Sequence, residues 1–277
     1  MEVDLASYFN IDIAIVVSFL ALNLAVGFYY GRNVKTIEDY ALGGRNFSTA
    51  ALVSTIVATV VTGGTFIYTT SRTYEAGLYD LIPRCGLALS LVLTTYFFVP
   101  KMASFLGSLS VAEAMGKHYG NVARIITAIC SIGAKIGAIA VEYKVFGGLI
   151  SHLLVLDPTF TIIAAGMVVT FYSAFGGIRA VTFTDVLQFM VFTVVIPLIG
   201  IIIWQSTAHI ENFNFTPVLE STNFNLSTVF DVSKIEFWEM LALLVYFAVP
   251  SMFPSEFQRL SMGKNIKQVK KACTIVN

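Results

Sequence analysis

Two places in this chain carry residue types and spacings that could handle an ion or a small solute. The first is Thr62-Gly63-Gly64-Thr65, at the middle of the apolar run LVSTIVATVVTGGTFIYTT. Adjacent glycines each weaken a helix by about 1 kcal/mol relative to alanine. Backbone that leaves the helix inside a bilayer is tolerated only where it lines a polar cavity. Unwinding here frees carbonyls, those of Ala58 and Val61, to coordinate a cation. The other reading of the same segment is that Gly63 and Gly64 let a neighbouring helix approach closely. The second place is LLVYFAVPSMFPSEF, where Pro250 and Pro254 stand one turn apart and each removes an N–H and clashes with the preceding turn. Taken alone this is a proline kink. Two Gly/Pro-interrupted segments five spans apart instead fit an inverted-repeat carrier, whose broken helices mark the binding site.

A pair of charges adds to these. Lys135 and Glu142 are seven residues apart within one apolar run, two helical turns, and so share a face. Charge at that depth costs about 2.5–3.5 kcal/mol and is held only by a partner or a cavity. Lys135 or Glu142 lies in a solute pathway on one reading; on the other, both pair with polar groups of neighbouring helices. Lys144 projects to nearly the opposite side and snorkels outward.

The elements that position these residues are membrane spans. The chain has 277 residues with 56% hydrophobic, 12% charged and a mean hydropathy of +0.78. A water-facing domain carries about 25% charged residues, so this is a membrane protein. Seven stretches approach the roughly 20 apolar residues that a bilayer requires: 13–30, 50–70, 81–99, 125–154, 159–175, 184–204 and 237–253, within one transmembrane domain over 1–277. The first follows Glu2, Asp4 and Asp12 and lacks a cleavage site, so it is not a signal peptide. With the N-terminus outside, twelve of seventeen Lys and Arg fall in inner loops, Arg259 among them. Three fall outside and two within a span. The stretch 100–124 contains a short interfacial amphipathic helix. The outer loop 205–235 carries NFT and NLS tripeptides, glycosylation acceptors only in a secretory lumen.

Other chemistries find no support. The net charge is zero, without the basic footprint of a nucleic-acid binder. Cys85, Cys130 and Cys273 form no CxxC, and His118, His152 and His209 form no HExxH. With no nucleophile–base pair or metal cluster at membrane depth, neither an enzyme nor an organic or metal cofactor is expected.

Three stretches carry a family likeness: EDYALGGRNFS, FYSAFGGIRAVTFTDVLQ joining the fifth and sixth spans, and YFAVPSMFPSEFQRLSMGKN at the seventh. Through them the chain resembles the sodium:solute symporter family over almost its whole length. The resemblance implies an all-α polytopic fold of the leucine-transporter type. An extra N-terminal helix would precede the first five-helix inverted repeat, and the seventh span would open the second. It implies sodium as coupling ion, bound by the backbone carbonyls of Ala58 and Val61. Asp185 would lie on the sodium exit path and Arg45 at the inner gate. Solute contacts would come from Thr62, Gly63, Thr65, Tyr246 and Pro250. Val60 stands where the proline-carrier branch has an aspartate, and Ala242 where that branch has a tryptophan, so proline is not indicated.

The family's remaining sodium ligands are hydroxyls on a ninth helix, and this chain ends at Asn277. The expected function is thus the N-terminal portion of a symporter for a small organic solute such as an amino acid or carboxylate. It would sit in a lipid bilayer such as a bacterial inner membrane, completed by a C-terminal polypeptide. Two alternatives are a membrane sensor input domain, as in relatives fused to histidine kinases, and a non-functional gene remnant.

Overall fold

The computed structural model describes residues 11–32, 34–154, 157–209, 214 and 216–277, and among these every regular element is helical. The expected first span is α1, Ile11–Gly31. A short helix, α2 (Ile37–Leu42), starts on Thr36, whose hydroxyl accepts from Asp39 N–H, and stops at Gly43 in the left-handed region. The second span is broken. Helix α3 (Thr49–Val60) and α4 (Gly63–Ala76) meet at 49°. The gap is Val61–Thr62, so the interruption lies just before the glycine pair, which forms the first turn of α4.

The third span is α5 (Leu78–Leu93), which loosens into a π turn at Thr94–Phe98 and a 3-10 stretch at Val99–Ser104. The fourth is longer than hydropathy indicates. Helix α6 runs over Val111–Leu154, interrupted only at Gly120 (φ +85°), so the interfacial helix expected in 100–124 is its first arm. The fifth and sixth spans form α7, Pro158–Ala208, bent at Gly177 (φ +55°). That bend needs glycine twice over: the dihedral excludes most side chains, and a Cβ there would sit 2.8 Å from Tyr40 O. The segment expected as a loop between these spans is thus helix beyond one residue.

The outer loop holds two short helices, α8 (Thr216–Glu220) and α9 (Leu226–Val229). Leu78 N–H donates to Asn223 C=O (2.9 Å) and Tyr79 O–H to Thr228 C=O (3.2 Å), tying this loop to the start of α5. Part of the NFT tripeptide lies outside the described residues. Asn225 of NLS caps α9, accepting from Ser227 N–H at 3.0 Å. The seventh span is α10 (Ile235–Ala248), a gap, then α11 (Pro254–Ser261), followed by α12 (Ile266–Val276).

Among the described residues, three helical stretches are long and apolar enough to cross a bilayer: Leu78–Ser104, Val111–His152 and Ser173–Thr207. The bent α3/α4 pair makes a fourth. Val17–Gly31 and Pro158–Phe171 are apolar but shorter, and α10 is apolar for only 14 residues before α11 turns polar.

Packing explains the shape. At the end that carries Arg45, Leu42, Leu52, Ile178, Met262 and Ala272 form a buried core, and Val99, Val111, Leu260 and Val269 form another. Away from that end the long helices bury little, as with Ile129, Ile132 and Ile136 on α6. Burying an aliphatic side chain from water gains about 1.5–3 kcal/mol, whereas lipid is already as apolar as leucine. Tight cores are accordingly expected where water reaches.

Candidate functional site: the two interrupted helices

At the first break, Val61 N–H still donates to Val57 C=O (2.9 Å), and backbone pairing resumes with Phe66 N–H to Thr62 C=O (2.9 Å). Among the described residues no backbone N–H bonds to the carbonyls of Ala58 or Val61. Two hard oxygen acceptors are thereby left for another partner. Thr62 is extended (φ −110°, ψ 162°) and caps α4, its Oγ1 accepting from Thr65 N–H at 3.1 Å and lying 2.9 Å from Thr65 Oγ1. The Thr62 hydroxyl also stands 2.6 Å from Glu142 Oε1 as its donor, and Gly64 N–H donates to Glu142 Oε2 at 3.2 Å. A carboxylate on α6 thus sits at the positive end of the α4 dipole. Gly63 has open space around its missing side chain.

At the second break α10 ends with Val249 N–H on Val245 C=O (3.2 Å). Pro250 has no N–H and cannot extend the helix. Pro254 is the first residue of α11, and Glu256 Oε2 accepts from Phe253 N–H (3.2 Å) and the Ser251 hydroxyl (3.4 Å). The Ser90 hydroxyl on α5 donates to Val249 C=O (3.3 Å). From α6, Lys135 Nζ donates to Ser255 Oγ (2.7 Å) and lies 5.9 Å from the Phe253 ring centroid. Lys135 and Glu142 of the fourth span thus meet polar groups of the two interrupted helices.

A buried ion pair joins α11 to α3 and α7. Arg259 Nη2 donates to Asp185 Oδ2 (3.0 Å), which also accepts from the Thr55 hydroxyl. Arg259 Nε donates to Thr59 Oγ1 (3.1 Å), and that hydroxyl donates to Thr55 C=O (2.7 Å). Arg259 is therefore not the inner-loop charge assigned to it by orientation counting: it is 8% exposed and part of a helix. Asp185 likewise lies in α7, about two turns past the Gly177 bend, and is 9% exposed. A cavity of about 120 Å³ opens beside this pair, its polar lining including Thr59, Ser90, Thr95, Ser251, Glu256 and Arg259.

The structure brings together Ala58, Val61, Thr62, Thr65 and Glu142 at the first break, with Lys135 at the second. Other expected residues stand apart. Arg45 reaches the turn after α11, donating to Gly263 C=O (2.7 Å) and Lys264 C=O (3.0 Å). Tyr246 is exposed on α10 with its ring against Phe247, and Pro250 only interrupts that helix. Among the described residues neither hydrogen-bonds to the first break. Sequence reasoning missed Thr55, Thr59, Ser255, Glu256 and Arg259. A usable signal existed for one: an arginine five residues beyond a proline break, within reach of the bilayer, needs a carboxylate. Among the described residues no group of three His, Cys, Asp or Glu side chains could hold a metal ion.

The sodium:solute symporter family profile matches residues 40–275, both breaks and the buried ion pair included. The chain belongs to the sodium:solute symporter family. It is 24% identical over 94% of its length to a Drosophila melanogaster protein described as a putative sodium-dependent multivitamin transporter, covering 44% of that protein. It is 26% identical over 85% of its length to the mouse sodium-coupled monocarboxylate transporter 1, covering 37% of it. The chain thus spans about two-fifths of the length of these curated relatives. Its backbone superposes on a solved structure of a Na+-coupled sialic acid symporter in a substrate-bound outward-open state, with a TM-score of 0.82 at 22% identity over 97% of this chain and 58% of that one. The fold is therefore the leucine-transporter type: α1 precedes the first repeat of five spans from α3/α4 through α7, and α10/α11 opens the second. Membership makes this symporter-family chain an integral membrane protein of a transporter family.

Proposed function

We propose that this chain supplies the ion- and solute-facing helices of a sodium-coupled symporter for a small organic solute such as an amino acid or carboxylate. The supporting observation is the pair of interrupted helices held against one shared partner, α6. The unpaired carbonyls of Ala58 and Val61 are oxygen donors of the kind that hard cations take. On this reading they contribute part of the sodium coordination, since a cation site of this type takes about six oxygens. Further oxygens come from helices in the part of the family's length that this chain does not span, whether in one polypeptide or in a complementary one. Thr62, Gly63 and Thr65 face the solute from the first break, and Tyr246 and Pro250 from the second. Asp185 lies on the route by which the cation leaves. The Arg45 contact with Gly263 and Lys264 closes the inner end, which is cytoplasmic, with the N-terminus outside and a bacterial inner membrane as the setting.

The chemistry of the steps follows from charge and backbone. A cation at the first break is coordinated by the otherwise unpaired Ala58 and Val61 carbonyl oxygens and fixes the angle between α3 and α4. That fixes Thr62 and Thr65 for the solute. The test is binding of radioactive sodium in nanodiscs to this chain together with the family's remaining helices, supplied in the same or in a second polypeptide, first without solute and then with a short monocarboxylate, an amino acid or sialic acid. The expected outcome is saturable binding displaced by unlabelled sodium but not by potassium, and tightened by one solute. Equal displacement by potassium, or binding that no solute changes, overturns the sodium-symport reading.

A further inference from the structure

The contacts of α6 go beyond charge pairing within a membrane. Its two intramembrane charges are seven residues apart, a rise of about 10.5 Å along the helix axis. They reach different interrupted helices. Glu142 takes the Thr62 hydroxyl (2.6 Å) and Gly64 N–H (3.2 Å) at the start of α4. Lys135 takes Ser255 Oγ (2.7 Å) in the first turn of α11 and lies near the ring of Phe253. Both ends are backed by packing, since α6 touches α4 and α11. Gly64 is shaped to the carboxylate: a Cβ at that position would stand 2.8 Å from Glu142 Oε1. Each contact sits on the first turn of the half-helix that follows its break, the point about which that half-helix would swing.

We infer that α6 is a strut with oppositely charged feet, and that Glu142 and Lys135 are positioning residues which set the half-helices α4 and α11 relative to each other. Neither touches the carbonyls of Ala58 and Val61. They act through Thr62 and Ser255. A rigid helix between two hinges makes the hinges dependent: if one foot is released, α6 no longer fixes the other half-helix relative to the first. The inference rests on the sodium-symport reading for its effect on ion affinity, but not for its effect on helix geometry.

The test is a double-mutant cycle with two readouts. Glu142→Gln keeps the shape and loses the charge, and Lys135→Met does the same at the other foot. A charge-assisted hydrogen bond lost at either foot is expected to weaken sodium binding about tenfold. Independent sites about 10 Å apart multiply their effects, toward about a hundredfold in the double variant. A strut predicts that the double variant is no weaker than about tenfold, because one loss already frees the geometry. The second readout needs no sodium: the distance between nitroxide labels at Tyr74 on α4 and Lys264 beyond α11, with Cys85, Cys130 and Cys273 replaced by alanine. Either single variant should broaden that distance distribution, the double no further, and Lys135→Arg should restore it. If the chain completed with the family's remaining helices binds no sodium, the symport reading fails and the distances still decide the strut. Unchanged distances in both single variants, or multiplicative effects in the double, overturn it.

Discussion

The two breaks solve one problem by different means. Each ends a helix inside a membrane protein and starts another, so each leaves backbone groups that must be paired. The second break is written into covalent structure. Pro250 cannot continue α10, Pro254 favours the start of α11, and Glu256 accepts from Phe253 N–H within its own turn. The first break has no proline. Its gap is two residues, its cap is Thr62, and its acceptor Glu142 comes from a helix 80 residues away in sequence. A proline break persists whatever surrounds it. A break held by Thr62 and a borrowed carboxylate depends on its neighbours, in keeping with the ion- and solute-facing role proposed for it.

The two meet at Arg259, and severing that link should have the largest effect. Arg259→Met removes the partner of buried Asp185 and the donor to Thr59, joining α11 to α7 and α3. Breaking a buried pair costs on the order of 3–5 kcal/mol, because a charge is left uncompensated. A thermal unfolding scan in nanodiscs should show a large fall in Tm. Adding Asp185→Asn should recover part of it, and no recovery would mean that packing outweighs the pair.

The contrast sharpens at the glycines of the first break. Gly64→Ala drives a methyl to 2.8 Å from Glu142 Oε1, so the carboxylate must move and a loss of about 1–3 kcal/mol follows. Gly63→Ala meets open space within a helical turn and should stabilise by up to about 1 kcal/mol. Adjacent residues of one type should thus give opposite signs in the same unfolding measurement. Like signs would sink the assignment of Glu142 as the acceptor at α4.

The same reasoning separates what the sequence shows from what it hides. The helical class, both interruptions and the family are legible because glycines, prolines and short motifs act locally. The site's polar partners are not. Asp185 and Arg259 are 74 positions apart, and Lys135 and Ser255 are 120 apart, so only the packed helices join them. Hydropathy also misplaced helix ends. It follows the bilayer, whereas hydrogen bonding in α7 carries on through the polar stretch after Gly177, and in α6 from Val111. The gap at Val61–Thr62, not at the glycines, reflects the cap: a threonine whose hydroxyl accepts from Thr65 N–H starts a helix better than glycine does.

At the second break the redundancy of its signals predicts tolerance. Pro250→Ala leaves Pro254 and the Glu256 cap in place, so α11 should still start at the same residue with a stability change under about 1 kcal/mol. Glu256→Gln weakens the acceptor at Phe253 N–H and should cost about 1 kcal/mol. Hydrogen exchange of the α11 amides measures both. Faster exchange in Pro250→Ala than in Glu256→Gln would show that the proline and not the cap holds this break open.

The smallest effect lies outside both breaks, at the water-exposed start of α2, and serves as the baseline for them. The Thr36 hydroxyl beside Asp39, aided by backbone N–H groups and the Arg179 charge, holds that carboxyl below its ordinary range. A lowered folded pKa means that the ionised form is favoured by folding. Its contribution is therefore present at neutral pH and is lost as acid protonates Asp39 through that lowered value. Thr36→Ala returns the carboxyl toward its ordinary range, so this site's share of the acid limb of a stability-against-pH profile should shrink and be complete at a higher pH than in the wild type. Asp39→Asn should remove this site's share of the limb altogether. Because Asp39 is solvated, salt screens the Arg179 share, and raising ionic strength should shrink the difference between wild type and Asp39→Asn. The Arg259→Met loss, seated in a buried pair, should survive the same salt.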